Sequence, residues 1–309
     1  MRSRALVFAL ATSLATSFAV SLAPAAASAQ LSEPAAWAAY AVNQYQVTPD
    51  ITYLTSEGYE SKLDLYVPRG ATAPVPVLMY FHGGFWVRGS KDASMLNILP
   101  YLEMGFAVVN VGYRLGRISL APAAVEDARC ALRWVFNNAE QYRLDTSRIV
   151  TTGHSAGGHL SLMTGMLTAE AGLDDRCPGN TPTAVAAIID WYGPTDVGDQ
   201  LDGPNRQNAV VEWFGGMPNR FEVAKRVSPL EYVRRDLPPI LTIHGDADRT
   251  VPYAHAVRLH EALERAGAGH ELHTVPGGAH GGFTREQTVE IFQKIQRFLG
   301  ENGIVAMRR

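Results

Sequence analysis

The chain has 309 residues, of which 47% are hydrophobic and 18% charged, and its net charge is −3. This length and composition are sufficient for one large, well-buried α/β core, and no low-complexity tract interrupts them. The acidic balance argues against binding to nucleic acid or to anionic membranes through bulk electrostatics.

The N-terminus has the pattern of a secretory signal peptide. Arg2 and Arg4 give a positive start, an apolar run follows, and Ala27-Ser28-Ala29 is a small-x-small cleavage site. A transmembrane anchor fits less well, because threonine and serine dilute the apolar run. We therefore expect residues 1–29 to be a signal peptide cleaved after Ala29, which makes the mature protein periplasmic or secreted. Loss of the two arginines lowers the net charge from −3 to −5.

The only two cysteines are Cys130 and Cys177. In an exported protein a single pair of this kind favours a disulfide. Two separate buried thiols are the alternative.

After the leader, residues 30–48 are polar and alanine-rich, which predicts a helical or loose arm. Alternating segments at Ile51–Leu54 and Leu63–Val67 predict an antiparallel hairpin. Short apolar runs then predict buried strands at Val75–Phe81, Phe106–Val111, Ile149–Thr152, Ala184–Ile189 and Pro239–His244, and a further short strand is expected at Glu271–Val275. Helical spacing predicts helices between them, at Ser94–Glu103, Val125–Asn138, His159–Leu167, Tyr253–Ala266 and Arg285–Leu299.

The alternation of strands and helices predicts an α/β fold with a mostly parallel, doubly wound sheet. Residues 197–237 do not fit this alternation, because the segment is polar and contains glycine and proline between two core strands. We expect it to be a short lid insertion over the carboxyl ends of the strands.

The motif Gly153-His154-Ser155-Ala156-Gly157 lies where a predicted strand meets a predicted helix. Gly-x-Ser-x-Gly in this position is typical of a nucleophile elbow, a strained turn that exposes the serine hydroxyl group. Ser155 is therefore the candidate nucleophile. A serine in this role needs a base, a group that orients the base, and donors for the oxyanion.

Two carboxylates follow the strand at Pro239–His244, and we favour Asp248 over Asp246 because it lies further out on the loop. Asp190 and Asp196 are more remote choices. The predicted base is His280, because four glycines surround it in the loop between the last strand and the last helix, whereas His270 and His273 fall in or beside the strand.

The predicted oxyanion donors are the amides of Gly84 and Ala156, with Gly83 or Phe85 as a third, since glycine lets the backbone approach a developing charge closely. The histidines lack metal-ligand spacing, and no Gly-x-Gly-x-x-Gly motif opens a helix after the first strand. We therefore expect no metal and no other cofactor.

Several short motifs span nearly all of the mature chain: His82-Gly83-Gly84-Phe85-Trp86, Gly89-Ser90-Lys91, Tyr113-Arg114-Leu115, Asp127-Ala128-Arg129, Gly153 to Leu160, Ser228-Pro229 and His244 to Pro252. In this order they resemble the motifs of the α/β-hydrolase serine esterases, in particular bacterial feruloyl-esterase-like carboxylesterases and arylformamidases. The resemblance implies an α/β-hydrolase fold with a Ser-Asp-His triad in one catalytic domain, residues 30–309. Hormone-sensitive-lipase-like esterases differ, because they have a third glycine in place of Phe85 and often an acidic residue in place of His154.

We therefore expect an exported carboxylic-ester hydrolase that acts through an acyl-enzyme on short-acyl or aryl esters. Phe85, Trp86, Trp191 and Tyr192 are the predicted substrate-binding residues, and Trp213 and Phe214 are also available to line the pocket. Small-molecule esters, or esters attached to plant polysaccharide, are the substrates that the resemblance implies.

An arylformamidase-type amide hydrolase is the first alternative, although an export signal suits it poorly. A peptidase of the prolyl-oligopeptidase type would need a large gating domain for which the chain has no room. A non-catalytic binding domain of the same fold is the remaining alternative, and the complete set of triad residues argues against it.

Overall fold

The computed structural model describes residues 32–306 of the chain. Two compact units are distinguished, Met1–Ala41 and Val42–Arg309. Residues 32–41, at the end of the first unit, contain most of helix α1, Glu33–Gln44. The predicted signal peptide lies outside the described residues.

The second unit contains eight strands: β1 (Tyr45–Ser56), β2 (Tyr59–Pro68), β3 (Val75–Phe81), β4 (Ala107–Val111), β5 (Leu144–His154), β6 (Ala187–Trp191), β7 (Ile240–Gly245) and β8 (His270–Val275). They form one sheet in the order β1-β2-β4-β3-β5-β6-β7-β8. The pairs β1–β2 and β2–β4 are antiparallel, and all the others are parallel. The predicted mostly parallel α/β sheet is therefore confirmed.

Nine further helices belong to the described part of this unit: α2 (Met95–Glu103), α3 (Ala123–Asn137), α4 (Ala139–Tyr142), α5 (Ala156–Met166), α6 (Val197–Leu201), α7 (Asn208–Phe214), α8 (Arg220–Arg226), α9 (Ala254–Ala266) and α10 (Arg285–Glu301). Side chains of β3 alternate between two apolar clusters. Val77 and Met79 pack with residues of α3 and α5, whereas Leu78 and Tyr80 pack with residues of α2 and α10. The sheet is thus covered on both faces, as the continuous apolar strands require.

The segment 197–237 contains α6, α7, α8 and a 3₁₀ turn at Pro229–Tyr232. The buried apolar side chains of α6, α7 and α8, including Val197, Val210 and Trp213, belong to the same cluster as Val77 and Met79. The inner side of the segment is therefore part of the main core.

A disulfide joins Cys130 on α3 to Cys177, with 47 residues of sequence separation. Both cysteines are buried in the apolar cluster that also contains Val77 and Met79 of β3. The chain enclosed by the disulfide includes β5 and α5, which flank Ser155.

Four of the parallel strands end at the same edge of the sheet and lead into the predicted site residues. The loop that begins at His82 follows β3, Ser155 follows β5, and the loops that carry Asp248 and His280 follow β7 and β8. Carboxyl ends of parallel strands are where open α/β sheets bind their ligands.

Candidate active site

Ser155 occupies the turn between β5 and α5 in a strained backbone conformation, with φ of +58°. A non-glycine residue in this region costs about 1–3 kcal/mol, so the surrounding structure must hold it. The amide of Ser155 donates to the carbonyl oxygen of Trp191 at 2.9 Å. A Cβ atom at Gly153 or Gly157 would lie 2.3 or 2.0 Å from the carbonyl oxygen of Phe81, which explains why both flanks are glycine.

His280 lies against Ser155, in the loop after β8. Its Nε2 is 2.8 Å from Ser155 Oγ, and its Nδ1 is 2.7 Å from Asp248 Oδ2. Because a carboxylate accepts, Nδ1 carries the proton and Nε2 is left to accept the serine hydroxyl proton. The edge of the imidazole also packs on Tyr192, with ring centroids 4.7 Å apart.

The side chain of Asp248 is completely buried behind His280. Its Oδ1 accepts from the amides of Thr250 at 2.7 Å and Val251 at 3.0 Å. Burial opposes ionisation, but hydrogen bonds from His244 and His280 outweigh it and hold the pKa of Asp248 well below its usual value. The carboxyl group is therefore a charged acceptor at neutral pH.

The competing carboxylates are used elsewhere. Asp246 is exposed and accepts from the amide of Gly277 at 2.7 Å. Asp196 caps α6 by accepting from the amide of Asp199. The structure thus brings Asp248, and not Asp246 or Asp196, to His280.

Asp190 has no exposed surface and lies beneath the elbow. Its Oδ1 accepts from the amide of Gly193 at 2.8 Å, and its Oδ2 accepts from Thr242 Oγ1 at 3.2 Å. Burial raises its pKa to about 7. A Cβ atom at Gly158 would lie 2.4 Å from Asp190 Oδ1, so this carboxyl group packs directly under the first turn of α5.

His244 supports Asp248, a role that the sequence analysis did not predict. Its Nε2 is 2.9 Å from the carbonyl oxygen of Val251 and 3.3 Å from Asp248 Oδ2. A carbonyl oxygen only accepts, so Nε2 carries a proton and points it toward both oxygens. The sequence feature that could have indicated this role is the position of His244 four residues before Asp248 in the same motif.

The predicted oxyanion loop lies beside the elbow. A Cβ atom at Gly83 would be 3.6 Å from the Cβ of Ser155 and 2.8 Å from the carbonyl oxygen of His154. Gly84 has φ of +124°, and a Cβ atom there would lie 2.1 Å from the carbonyl oxygen of Arg88. Within residues 32–306, the amides of Gly83, Gly84 and Ala156 donate no hydrogen bond, so all three remain free to donate to a ligand.

Two aromatic rings stabilise the beginning of this loop. Tyr113 stacks on His82 with centroids 4.2 Å apart, and its hydroxyl group donates to the His82 carbonyl oxygen at 2.8 Å. The Nδ1 of His82 donates to the carbonyl oxygen of Gly83 at 2.8 Å. Burial lowers the pKa of His82 to about 4, so the ring is neutral at pH 7. Its role is to stabilise the conformation of the loop.

The prediction that Trp86 contacts substrate is wrong. Trp86 has no exposed surface, stacks on Trp213 with centroids 4.1 Å apart, and donates through Nε1 to His159 Nδ1 at 3.1 Å. Trp213 and Phe214 are equally buried, because α7 carries both into the core. Phe85 is half-buried, and the guanidinium group of Arg88 lies over its ring.

Trp191 and Tyr192, in contrast, line a cleft of about 490 Å³ beside the elbow. His154, the last residue of β5, also lines it. The sequence analysis did not predict the other lining residues, which come from α2, the His280 loop and α10: Leu96, Asn97, Pro100, Gly281, Gly282, Phe283, Thr288 and Phe292. The position of His154 next to Ser155 was the one clear signal in the sequence.

Among residues 32–306 there is no group of three or more side chains arranged to hold a metal ion. The same residues include no helix that is both long and apolar enough to cross a membrane.

The chain is similar to known esterases in sequence and in fold. A family model described as BD-FAE matches residues 63–263. Esterase LipC of Mycobacterium tuberculosis is 31% identical over 220 residues, which cover 68% of this chain and 54% of LipC. Kynurenine formamidase of Danio rerio is 38% identical over 120 residues, or 38% of each chain.

Among solved structures, a truncated form of carbohydrate esterase from gut microbiota superposes with a TM-score of 0.70 at 31% identity, covering 84% of this chain and 97% of that one. The chain spans only about half the length of curated relatives such as LipC, at 54%. The fold, the order of the motifs and the family match agree: the chain belongs to the BD-FAE family of α/β-hydrolase esterases.

Proposed function

We propose that the protein is an exported serine hydrolase that cleaves carboxylic esters through an acyl-enzyme. The observation that carries this proposal is the hydrogen-bonded series from Ser155 Oγ to His280 Nε2, at 2.8 Å, and from His280 Nδ1 to Asp248 Oδ2, at 2.7 Å. The similarity to esterases supports the same reaction class.

In this mechanism His280 removes the hydroxyl proton as Ser155 attacks the ester carbonyl carbon, and the protonated imidazole then gives that proton to the leaving alcohol. Asp248 holds the tautomer of His280 and stabilises its positive charge. The amides of Gly84 and Ala156, with Gly83, stabilise the oxyanion. Water then repeats the sequence on the acyl-enzyme and releases the acid.

The test is hydrolysis of p-nitrophenyl esters from acetate to decanoate, and of methyl ferulate, by the wild type and three variants. We expect Ser155→Ala to lower kcat by about 10⁶-fold and Asp248→Asn by about 10⁴-fold. Asp246→Asn is the matched control, because this exposed carboxylate lies on the same loop without reaching His280. Undiminished turnover by Ser155→Ala would refute the proposed nucleophile.

The wild type should also be labelled at Ser155 by a fluorophosphonate, which mass spectrometry of the modified peptide detects. The chain-length profile then identifies the acyl group, for which we propose short-acyl or aryl esters.

The partial similarity to a kynurenine formamidase supports amide hydrolysis as a second candidate. N-formylkynurenine, assayed beside an aryl acetate, separates the two. A higher kcat/KM for the formamide would favour the amide reaction.

Export is supported by the N-terminal pattern and by the disulfide, which persists in oxidising compartments. We expect the full chain, produced in a bacterium, to be recovered outside the cytoplasm with Gln30 as its first residue. N-terminal sequencing that instead finds an intact leader on cytoplasmic protein would contradict export.

A further inference from the structure

His154 is held by the hydroxyl group of Tyr80, which is itself held by Asn97. Its Nδ1 is 2.8 Å from the hydroxyl oxygen of Tyr80, and that oxygen accepts from the amide Nδ2 of Asn97 at 3.0 Å. The ring is also fixed by Trp191 and Tyr192, whose centroids lie 4.8 and 5.7 Å from it. The imidazole therefore has a defined position next to the nucleophile.

The direction of these hydrogen bonds follows from the groups involved. Burial raises the pKa of Tyr80 far above its usual value, so the phenol keeps its proton. Burial, and then the nearby His280, lower the pKa of His154 to about 4, so its imidazole is neutral. The Asn97 amide donates to Tyr80, Tyr80 donates to His154 Nδ1, and the imidazole proton must then be on Nε2.

Within residues 32–306, this Nε2–H group has no hydrogen-bond partner. Because Nε2 is not among the buried unpaired atoms of that part of the chain, it is accessible from outside the protein. His154 is half-buried and lines the cleft of about 490 Å³ that Trp191 and Tyr192 also line. The cleft thus combines aromatic side chains in its wall with a fixed donor one residue away from Ser155.

We propose that the Nε2–H group of His154 donates a hydrogen bond to a substrate oxygen in this cleft. The site then prefers esters whose acyl or alcohol group carries an ether or hydroxyl oxygen there over isosteric hydrocarbon esters. His154 is the specificity residue, and Tyr80 is a positioning residue that fixes its tautomer. This inference rests on the proposed esterase function.

The test uses two substrate pairs in which an oxygen atom replaces a methylene group. On the acyl side they are p-nitrophenyl methoxyacetate and p-nitrophenyl butyrate. On the alcohol side they are tetrahydropyran-4-yl acetate and cyclohexyl acetate. The quantity compared is the ratio of kcat/KM within each pair, for the wild type, His154→Phe and Tyr80→Phe.

We expect His154→Phe to lower the preference for the oxygen-containing ester about 3- to 10-fold in one pair, the typical effect of one uncharged hydrogen bond. Tyr80→Phe should lower it less, because Nε2 can still carry the proton part of the time. The pair that responds identifies which side of the ester occupies the cleft.

The two esters of a pair differ in chemical reactivity, but this difference is the same for every variant. Both esters are assayed with the same preparation, so its folded fraction cancels in the ratio of kcat/KM. Ratios that stay unchanged in both pairs for His154→Phe overturn the inference. If these esters are still hydrolysed in a Ser155-dependent way, the esterase proposal survives that result. Absence of any ester hydrolysis by the wild type would overturn the esterase proposal itself.

Discussion

At the scale of single residues, Asp190 shows how a buried carboxyl group can support the elbow without joining its chemistry. It accepts from the amide of Gly193 and lies under Gly158, so it braces the junction of β6 and α5. Its pKa of about 7, raised by burial, means that folding favours the protonated form.

This shift predicts a pH dependence of stability. The unfolded carboxyl group loses its proton near pH 4, whereas the folded one keeps it until about pH 7. The contribution of Asp190 to the free energy of unfolding should therefore fall as pH rises from 4 to 7, by up to about 1.4 kcal/mol per pH unit. Above pH 7 this contribution should no longer change.

Urea denaturation of the wild type and Asp190→Asn between pH 4 and 8 measures this difference, because other titrating groups largely cancel. The asparagine variant should gain stability relative to the wild type as pH rises from 4 to 7, and the difference should then stay constant. A difference that does not change with pH would contradict the raised pKa.

The three residues of the proposed triad could be predicted because each lies in a short motif at the end of a strand. The cleft could not be predicted in the same way. Phe292 and Thr288 reach it from α10, and Asn97 reaches it from α2. Which face a helix turns toward a site depends on packing between distant segments, and local sequence does not encode it.

At the scale of elements, the strands of the sheet were predicted from their apolar runs, and β6 shows where that reasoning fails. The apolar pattern indicated Ala184–Ile189, but the strand is Ala187–Trp191. The apolar run stops before Asp190, whose carboxyl group is charged in water. Its hydrogen bonds with Gly193 and Thr242 let the strand continue past it.

The aromatic residues of 197–237 illustrate the same limit. Trp213 was a plausible pocket residue by sequence, yet α7 places it against Trp86 in the core. The composition of the segment shows that it contains large aromatic side chains, which could line a pocket. Tertiary contacts decide whether they face substrate or one another.

At the scale of the whole molecule, the disulfide encloses the segment that carries the proposed nucleophile. Cys130 and Cys177 are 47 residues apart in sequence, and closing a loop of this size stabilises the fold by about 4 kcal/mol on the chain-entropy model. The whole domain should gain this stability, because β5 lies at the centre of the sheet.

Replacing both cysteines by alanine should therefore lower the free energy of unfolding by about 4 kcal/mol. Chemical denaturation with and without a reducing agent provides the measurement. The wild type should lose a similar amount on reduction, and the double variant should not respond. Equal stability of the oxidised and reduced wild type would show that the cross-link contributes nothing.

The backbone strain at Ser155 also limits how the protein can be improved in the laboratory. A left-handed conformation suits glycine better than serine, so replacing Ser155 by glycine would relieve strain while removing the proposed nucleophile. A library of random variants selected only for heat resistance would consequently enrich inactive chains at this position. Directed evolution of this protein therefore has to select for turnover and thermal tolerance in the same round.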